Sequence, residues 1–356
     1  MLITKKQICL LFITIIPASK FLILPTVYAS LAHQDTWLAG LLNCLLDGVL
    51  LITMLFILKK FEGQTLYEVL EYTFGRAIAK TVYFIYFLYF MLKATVPVFE
   101  QKLFTEITLY ETAPSVLTFL PFFFVSFYLC IKGIRVMART GEIVFWFTAL
   151  GLLLVIFLSI GTTDPYYLMP VLKNPVKQTL TATYSGLIWY GQPIILLFLM
   201  GGIKREKRFN LSLIISFTVA ALLCVVIYAI FIGIYGDIAV RQIYALTKMT
   251  KYAIALSNVG RFDYIASILL AVSSVLALAA PLVLAMECIK HVFGGKRKWL
   301  LALIINGVML IVTVALQLYF QTVLDLFSRY FTPVMFTLVY LLPPLVLLIK
   351  RKEINA

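Results

Sequence analysis

Ile15-Ile16-Pro17-Ala18-Ser19-Lys20 lies in the middle of an apolar run from Gln7 to about Ala29. The run has the length of a membrane span, since about 20 apolar residues cross a hydrocarbon core of about 30 Å. Its middle does not suit a plain span. Pro17 has no amide hydrogen and its ring crowds the carbonyl four residues back, Ser19 is polar, and Lys20 is a cation at bilayer depth. These residues predict a broken helix. Backbone freed from helical hydrogen bonds is tolerated in a membrane only where protein encloses it or it lines a wet cavity. Standing alone, the same residues would also fit a simple kink with the lysine reaching the headgroups. A second interruption later in the chain favours the broken helix.

Composition agrees with a membrane setting. The chain is 62% hydrophobic and 13% charged, with a mean hydropathy of +1.00, outside the range of soluble domains. The net charge of +14 comes from basic residues clustered between apolar runs, as in Lys204 to Arg208. That pattern belongs to membrane topology and excludes nucleic acid as the partner. Cys9, Cys44, Cys130, Cys224 and Cys288 stand singly, and His33 and His291 are far apart. Neither a disulfide framework, a metal site, a cofactor motif nor a catalytic nucleophile is indicated. Lys5 and Lys6 before an apolar run, and Val27-Tyr28-Ala29 after it, imitate a secretory signal. The run is too long for a signal core and holds Pro17 and Lys20, so it is expected to be a retained first span.

Ten spans are expected, at 7–29, 37–58, 79–97, 115–131, 142–160, 182–201, 211–234, 262–288, 299–318 and 331–349, all helical because the runs do not alternate. With both ends in the cytoplasm, twenty Lys and Arg residues fall inside and eight outside, which orients both termini to the cytoplasm. Gln64 to Phe74 places Leu66, Val69, Leu70 and Phe74 on one face of a short amphipathic helix. Asp237 to Asn258 is long enough for one or two interfacial helices.

The sixth span carries the second interruption. Ser185-Gly186 and Tyr190-Gly191-Gln192-Pro193 put two glycines, a proline, a tyrosine and a glutamine into a helix that should face hydrocarbon. Ten spans thus divide into two five-helix halves, 7–160 and 182–349, with breaks in corresponding helices 1 and 6 of a single transmembrane domain. That is the signature of an inverted-repeat transporter fold with a midplane site. Tyr86, Tyr89, Lys93, Pro97 and Glu100 share one face of the third span, and that face must turn inward. Glu100 lies two turns from Lys93 and is reachable only through an intermediary; Asp47 and Glu287 are further candidate partners. Lys290 near Glu287 and close helix packing around Ser273 and Ser274 are the simpler readings there. The breaks suit capture of a small polar solute, with half-helix amides for a carboxylate and freed carbonyls for an ammonium. An L-amino acid has both groups. Lys20, facing such a site, attracts an anion or takes the place of a cation such as sodium.

Leu24-Pro25 closing the first run, Gln34-Asp35-Thr36-Trp37-Leu38, Tyr86-Phe87-Leu88-Tyr89, Leu168-Met169-Pro170-Val171-Leu172 and Arg261-Phe262-Asp263 together resemble the B subunit of nutrient germinant receptors of bacterial endospores. The resemblance covers essentially the whole chain. It implies an LeuT-like, all-α member of the amino acid-polyamine-organocation superfamily in the spore inner membrane. It also implies an A subunit and a lipoprotein C subunit as partners, and a small germinant, often an amino acid, as ligand. The ligand region would comprise Pro17, Ala18 and Ser19 with Gly186, Tyr190, Gly191 and Gln192, bordered by Tyr89 and Lys93. Lys20 departs from the small or apolar residue the family leads one to expect. A working ion-coupled amino acid permease is the other reading of the same residues. A cysteine at position 20 or 93 is expected to react with a water-soluble reagent far better than one at Phe21.

Overall fold

The first helix of the computed structural model, α1 (Lys5–Ala18), starts at a reciprocal cap. Thr4 accepts from the Gln7 amide, and the Gln7 side chain accepts from the Thr4 amide. It runs through Pro17 and stops one residue later. The break is therefore Ser19 to Ile23, and α2 (Leu24–Ala32) resumes with Pro25 in its first turn, where a missing amide costs nothing. Leu24-Pro25 thus opens the second half of the span and does not close the run, as the sequence suggested.

The structure describes residues 2–105, 115–242, 249, 262–295 and 297–349. The chain continues as α3 (Thr36–Lys60), the short α4 (Leu66–Phe74), α5 (Arg76–Phe104), α6 (Ser115–Lys132) and α7 (Ile134–Ile160). Then come the sixth span, α8 (Val176–Gly186) and α9 (Ile195–Leu199), and three long helices, α10 (Phe209–Tyr235), α11 (Phe262–Phe293) and α12 (Lys298–Leu316). The last stretch is α13 (Phe320–Leu326), α14 (Thr332–Phe336) and α15 (Leu342–Val346), joined by π-helical turns at Phe327–Phe331 and Thr337–Leu341. All the long elements are helical, as expected of an integral membrane protein.

Among the described residues, eight helices are long and apolar enough to cross a membrane. The first expected span is not counted by itself because its two halves are short and α2 runs on almost directly into α3. Of the fourth, Leu120–Lys132 is a shorter apolar helix. The third span is longer than expected: α5 passes through Pro97 to Phe104 and brings Glu100 into the helix. In α4, Leu66, Val69 and Leu70 are buried as the amphipathic pattern predicts, whereas Phe74, the last residue of the helix, is 51% exposed. Gly236–Arg241 forms a short helical turn. The rest of the expected loop to Asn258 lies outside the described residues except Gln242 and Met249, as do Arg261, Lys296 and Lys350 to Lys352.

Helix α11 is central, packed against α1, α5, α6 and α7. Helix α7 presents Ile143, Trp146, Leu150, Leu153 and Phe157, exposed and three or four residues apart, which is the stripe a helix turns to lipid. Spans one and six run antiparallel. At one end Ile3 and Ile203 form a backbone bridge, with the Ile3 amide on the Gly202 carbonyl at 2.8 Å and the Lys204 amide on the Ile3 carbonyl at 3.0 Å. At the other end the Leu172 amide donates to Asp35 at 2.9 Å, and Gln34 donates to the Pro170 carbonyl. The opposed orientation brings the two breaks side by side.

Candidate functional site

In the first break neighbouring residues supply several partners for the loosened backbone, and Tyr228 donates to the Lys20 carbonyl at 3.4 Å. The Ser19 amide reaches the Ile15 carbonyl at 3.2 Å and the Lys20 amide the Pro17 carbonyl at 2.8 Å. The Ile16 carbonyl accepts from the Ser19 hydroxyl and from the Lys20 ammonium, each at 3.1 Å. Lys20 is fully buried. Its ammonium also donates to Gln192 Oε1 at 2.8 Å and lies 4.4 Å above the centre of the Tyr190 ring.

The second break is more open. Helix α8 ends at Gly186, a single turn covers Leu187–Trp189, Tyr190 is extended, and Gly191 has φ +88°. A left-handed backbone of this kind favours glycine. Four charged side chains hold this segment, each at a different handle. Lys93 donates to the carbonyls of Ile188 and, at 2.6 Å, Tyr190. Glu100 accepts from the Trp189 indole at 2.9 Å. Asp47 accepts from the Gly191 amide at 2.8 Å, and from the Tyr340 hydroxyl at 2.6 Å. Lys20 holds Gln192, whose amide nitrogen donates to Ser19 at 2.9 Å and to the Trp189 carbonyl at 2.6 Å. None of the four charges pairs directly with another among the described residues; salt bridges elsewhere include Arg205 with Glu62 at 3.4 Å and Lys290 with Glu287 at 3.1 Å. Such burial is tolerated because each charge is hydrogen-bonded.

This answers the question of Lys93. Its direct partners are freed carbonyls, not Asp47 or Glu287, and the intermediary between Lys93 and Glu100 is the backbone from Ile188 to Tyr190. Glu287 pairs with Lys290, the simpler of its two readings. Ser273 accepts from Thr148 at 2.9 Å and Ser274 bonds to Gln101, so both join helices. Tyr340 is a partner that sequence reasoning missed. It projects from a π-helical turn, a feature that often marks functional helices and has no sequence signature here. Trp189 was hidden as one more apolar residue before the glycine.

Between the breaks lies a cavity of about 50 Å³. Of the residues expected at the site, Ser19, Tyr89, Lys93, Gly191 and Gln192 line it. Pro17, Ala18, Lys20, Gly186 and Tyr190 stand behind the wall. Lys20 is as enclosed as Phe21. Gly186 leaves room for Tyr28, whose ring a Cβ there would strike. Tyr28 accepts from Asn43 at 2.7 Å and meets Tyr228 edge-on at 5.6 Å. The sequence did not point to Ile15, Phe90, Val96 and Ile194, which form the apolar side of the cavity, nor to Ala277, Ala280 and Pro281 of α11. Among the described residues no three His, Cys, Asp or Glu side chains gather as a metal cluster would require.

Comparison with known proteins identifies relatives of this arrangement. The model of the spore permease family, described as "Spore germination protein", matches residues 2–322. Spore germination protein KB of Bacillus subtilis (strain 168) is 26% identical over 254 residues, 68% of this chain and 66% of that protein. Spore germination protein YndE of the same strain is 23% identical over 210 residues, 58% of this chain and 57% of that protein. The matched region thus spans less than two thirds of either relative. Among solved structures, a mutant of the Eremococcus coleocola manganese transporter superposes with a TM-score of 0.63 at 13% identity, covering 96% of this chain and 75% of the other. The same transporter bound to an aromatic bis-isothiourea compound gives 0.60 at 12% identity, with the same coverage. At such identity the likeness is one of fold, and manganese remains a property of that transporter.

Proposed function

Because the chain belongs to the spore germination protein family, we propose that it is the membrane-embedded B-type subunit of a germinant receptor that has kept a transporter fold. A small germinant, an amino acid by the resemblance, binds in the cavity between the two breaks and signals through an A subunit and a lipoprotein C subunit. In this reading the chain is a single domain of ten spans in two five-helix repeats, with both termini cytoplasmic, in the spore inner membrane. Ser19, Tyr89, Lys93, Gly191 and Gln192 contact the ligand, and Pro17, Ala18, Lys20, Gly186 and Tyr190 shape the backbone behind them.

The observation that carries this reading is the cavity itself. It lies where two helices lose their hydrogen bonding and where polar groups from spans one, three and six converge on an otherwise apolar wall. The fold likeness to a transporter gives a second reading some support, that of a permease moving its ligand across the membrane.

Uptake separates the two. Proteoliposomes holding the whole chain are offered labelled L-amino acids and simple sugars, with and without an imposed ion gradient. The receptor reading expects binding without concentrative uptake, and a weaker germination response in spores carrying Gln192→Leu or Ser19→Leu with normal membrane insertion. Concentrative uptake abolished by Gln192→Leu makes the protein a permease. A normal response in both variants removes these positions from the site.

A further inference from the structure

Almost every hydrogen-bonding group around the cavity is already committed. Both amide hydrogens of Gln192 go to Ser19 and the Trp189 carbonyl, and its oxygen takes Lys20. Ser19 donates to Ile16, the Trp189 indole to Glu100, and the Gly191 amide to Asp47. The carbonyls that a ligand ammonium would use hold ammonium groups of the chain itself: Ile188 and Tyr190 hold Lys93, and Ile16 holds Lys20. A second cation there would sit against a like charge, which is unfavourable in a poorly hydrated site.

Two donors remain. An ammonium has three N–H bonds and Lys93 spends two, on the Ile188 and Tyr190 carbonyls. The Tyr89 hydroxyl has no hydrogen-bond partner among the described residues, while its ring is fixed by stacking on Phe331 at 5.9 Å. Residues 89 and 93 are one helical turn apart on α5, and both line the cavity. Among the described residues, Lys93 is also the one formally charged side chain in the wall; Lys20, Asp47 and Glu100 are set back from it. The first charge a ligand meets is positive, and the rest of the wall is mostly apolar.

We propose that Lys93 and Tyr89 form a carboxylate clamp, and that the ligand is recognised as a small carboxylate with a short apolar body, its ammonium being dispensable. This rests on the reading of the cavity as the germinant site and states what that site selects. The two oxygens of a carboxylate accept from the ammonium and the phenol, a charge-assisted pair. The body packs toward Ile15, Phe90 and Val96. The cavity of about 50 Å³, against the roughly 10–15 Å³ one water needs, holds only a handful of non-hydrogen atoms.

The test is calorimetric titration of the whole purified chain with three probes of similar size: L-alanine, propanoate and L-alaninamide. The clamp expects L-alanine and propanoate to bind within about fivefold of each other and L-alaninamide at least about tenfold more weakly, the loss of one charge-assisted contact. Tyr89→Phe keeps the stacked ring and removes only the donor, and should weaken propanoate about tenfold while leaving L-alaninamide unchanged. Lys93→Met should abolish propanoate binding. L-alaninamide binding as tightly as propanoate, or Tyr89→Phe leaving propanoate unaffected, overturns the clamp while the cavity reading stands. Binding of none of the three overturns the clamp and the cavity reading together.

Discussion

The two breaks solve the same problem in different ways. In the first, residues 19 to 23 close partly on themselves. Phe21, Leu22 and Ile23 are buried and the loosened carbonyl of Ile16 is capped by Ser19 and Lys20, while from other helices Tyr228 donates to the Lys20 carbonyl at 3.4 Å and Glu100 accepts from the Ile23 backbone. In the second, residues 188 to 192 depend on other helices: α3 supplies Asp47, α5 supplies Lys93 and Glu100, and the first break supplies Lys20. A break with local partners is a fixed part of the scaffold. One held by side chains from elsewhere moves when those side chains do. On the proposed reading the sixth span is where ligand capture at Lys93 would be felt, because the amine that would meet the ligand is the one holding the Ile188 and Tyr190 carbonyls.

The largest expected effect comes from Asp47. Asp47→Leu removes the acceptor of the Gly191 amide and of Tyr340 and leaves the buried lysines without that compensating charge, so thermal unfolding in detergent should show a loss of about 3–5 kcal/mol. Asp47→Asn keeps an acceptor in place and should cost clearly less. Equal losses would mean that charge, not the handle on Gly191, is what matters. Next is glycine. Gly63 and Gly191 both have left-handed φ, +83° and +88°, but Gly63 faces open space while a Cβ on Gly191 would meet Val339 at 3.0 Å and Met335 at 3.1 Å. Alanine at Gly63 should cost about 1–2 kcal/mol for the backbone alone, and at Gly191 about 1 kcal/mol more from crowding. The smallest effect belongs to the first break. Ser19→Ala loses the hydroxyl that Gln192 shares and should cost only about 0.5–1.5 kcal/mol. A cost as large as that of Asp47→Leu would erase the distinction between the breaks.

The places where the backbone departs from helix were legible because they rest on residues with intrinsic backbone effects. Pro17 ends a helix one residue later, and Gly191 takes a conformation that side chains disfavour. An inward face on α5 was legible from spacing, since an intramembrane lysine cannot face hydrocarbon. What the lysine touches was not, because Ile188 and Tyr190 of span six reach Lys93 of α5 only through packing between spans far apart in sequence. The same packing joins two stretches that carried the family resemblance, Gln34-Asp35 and Pro170 to Leu172, through contacts 136 and 137 residues apart in sequence. Tyr340 was illegible for another reason: its direction is set by a π-helical turn that no local residue type announces.

The most direct measurement of the central claim is amide hydrogen exchange of the whole chain in detergent, wild type against Lys93→Met. If Lys93 holds the sixth-span break and the first break does not depend on it, exchange accelerates across residues 187 to 192 and stays unchanged across 19 to 23. No acceleration at 187 to 192, or an equal rise at both breaks, would contradict it.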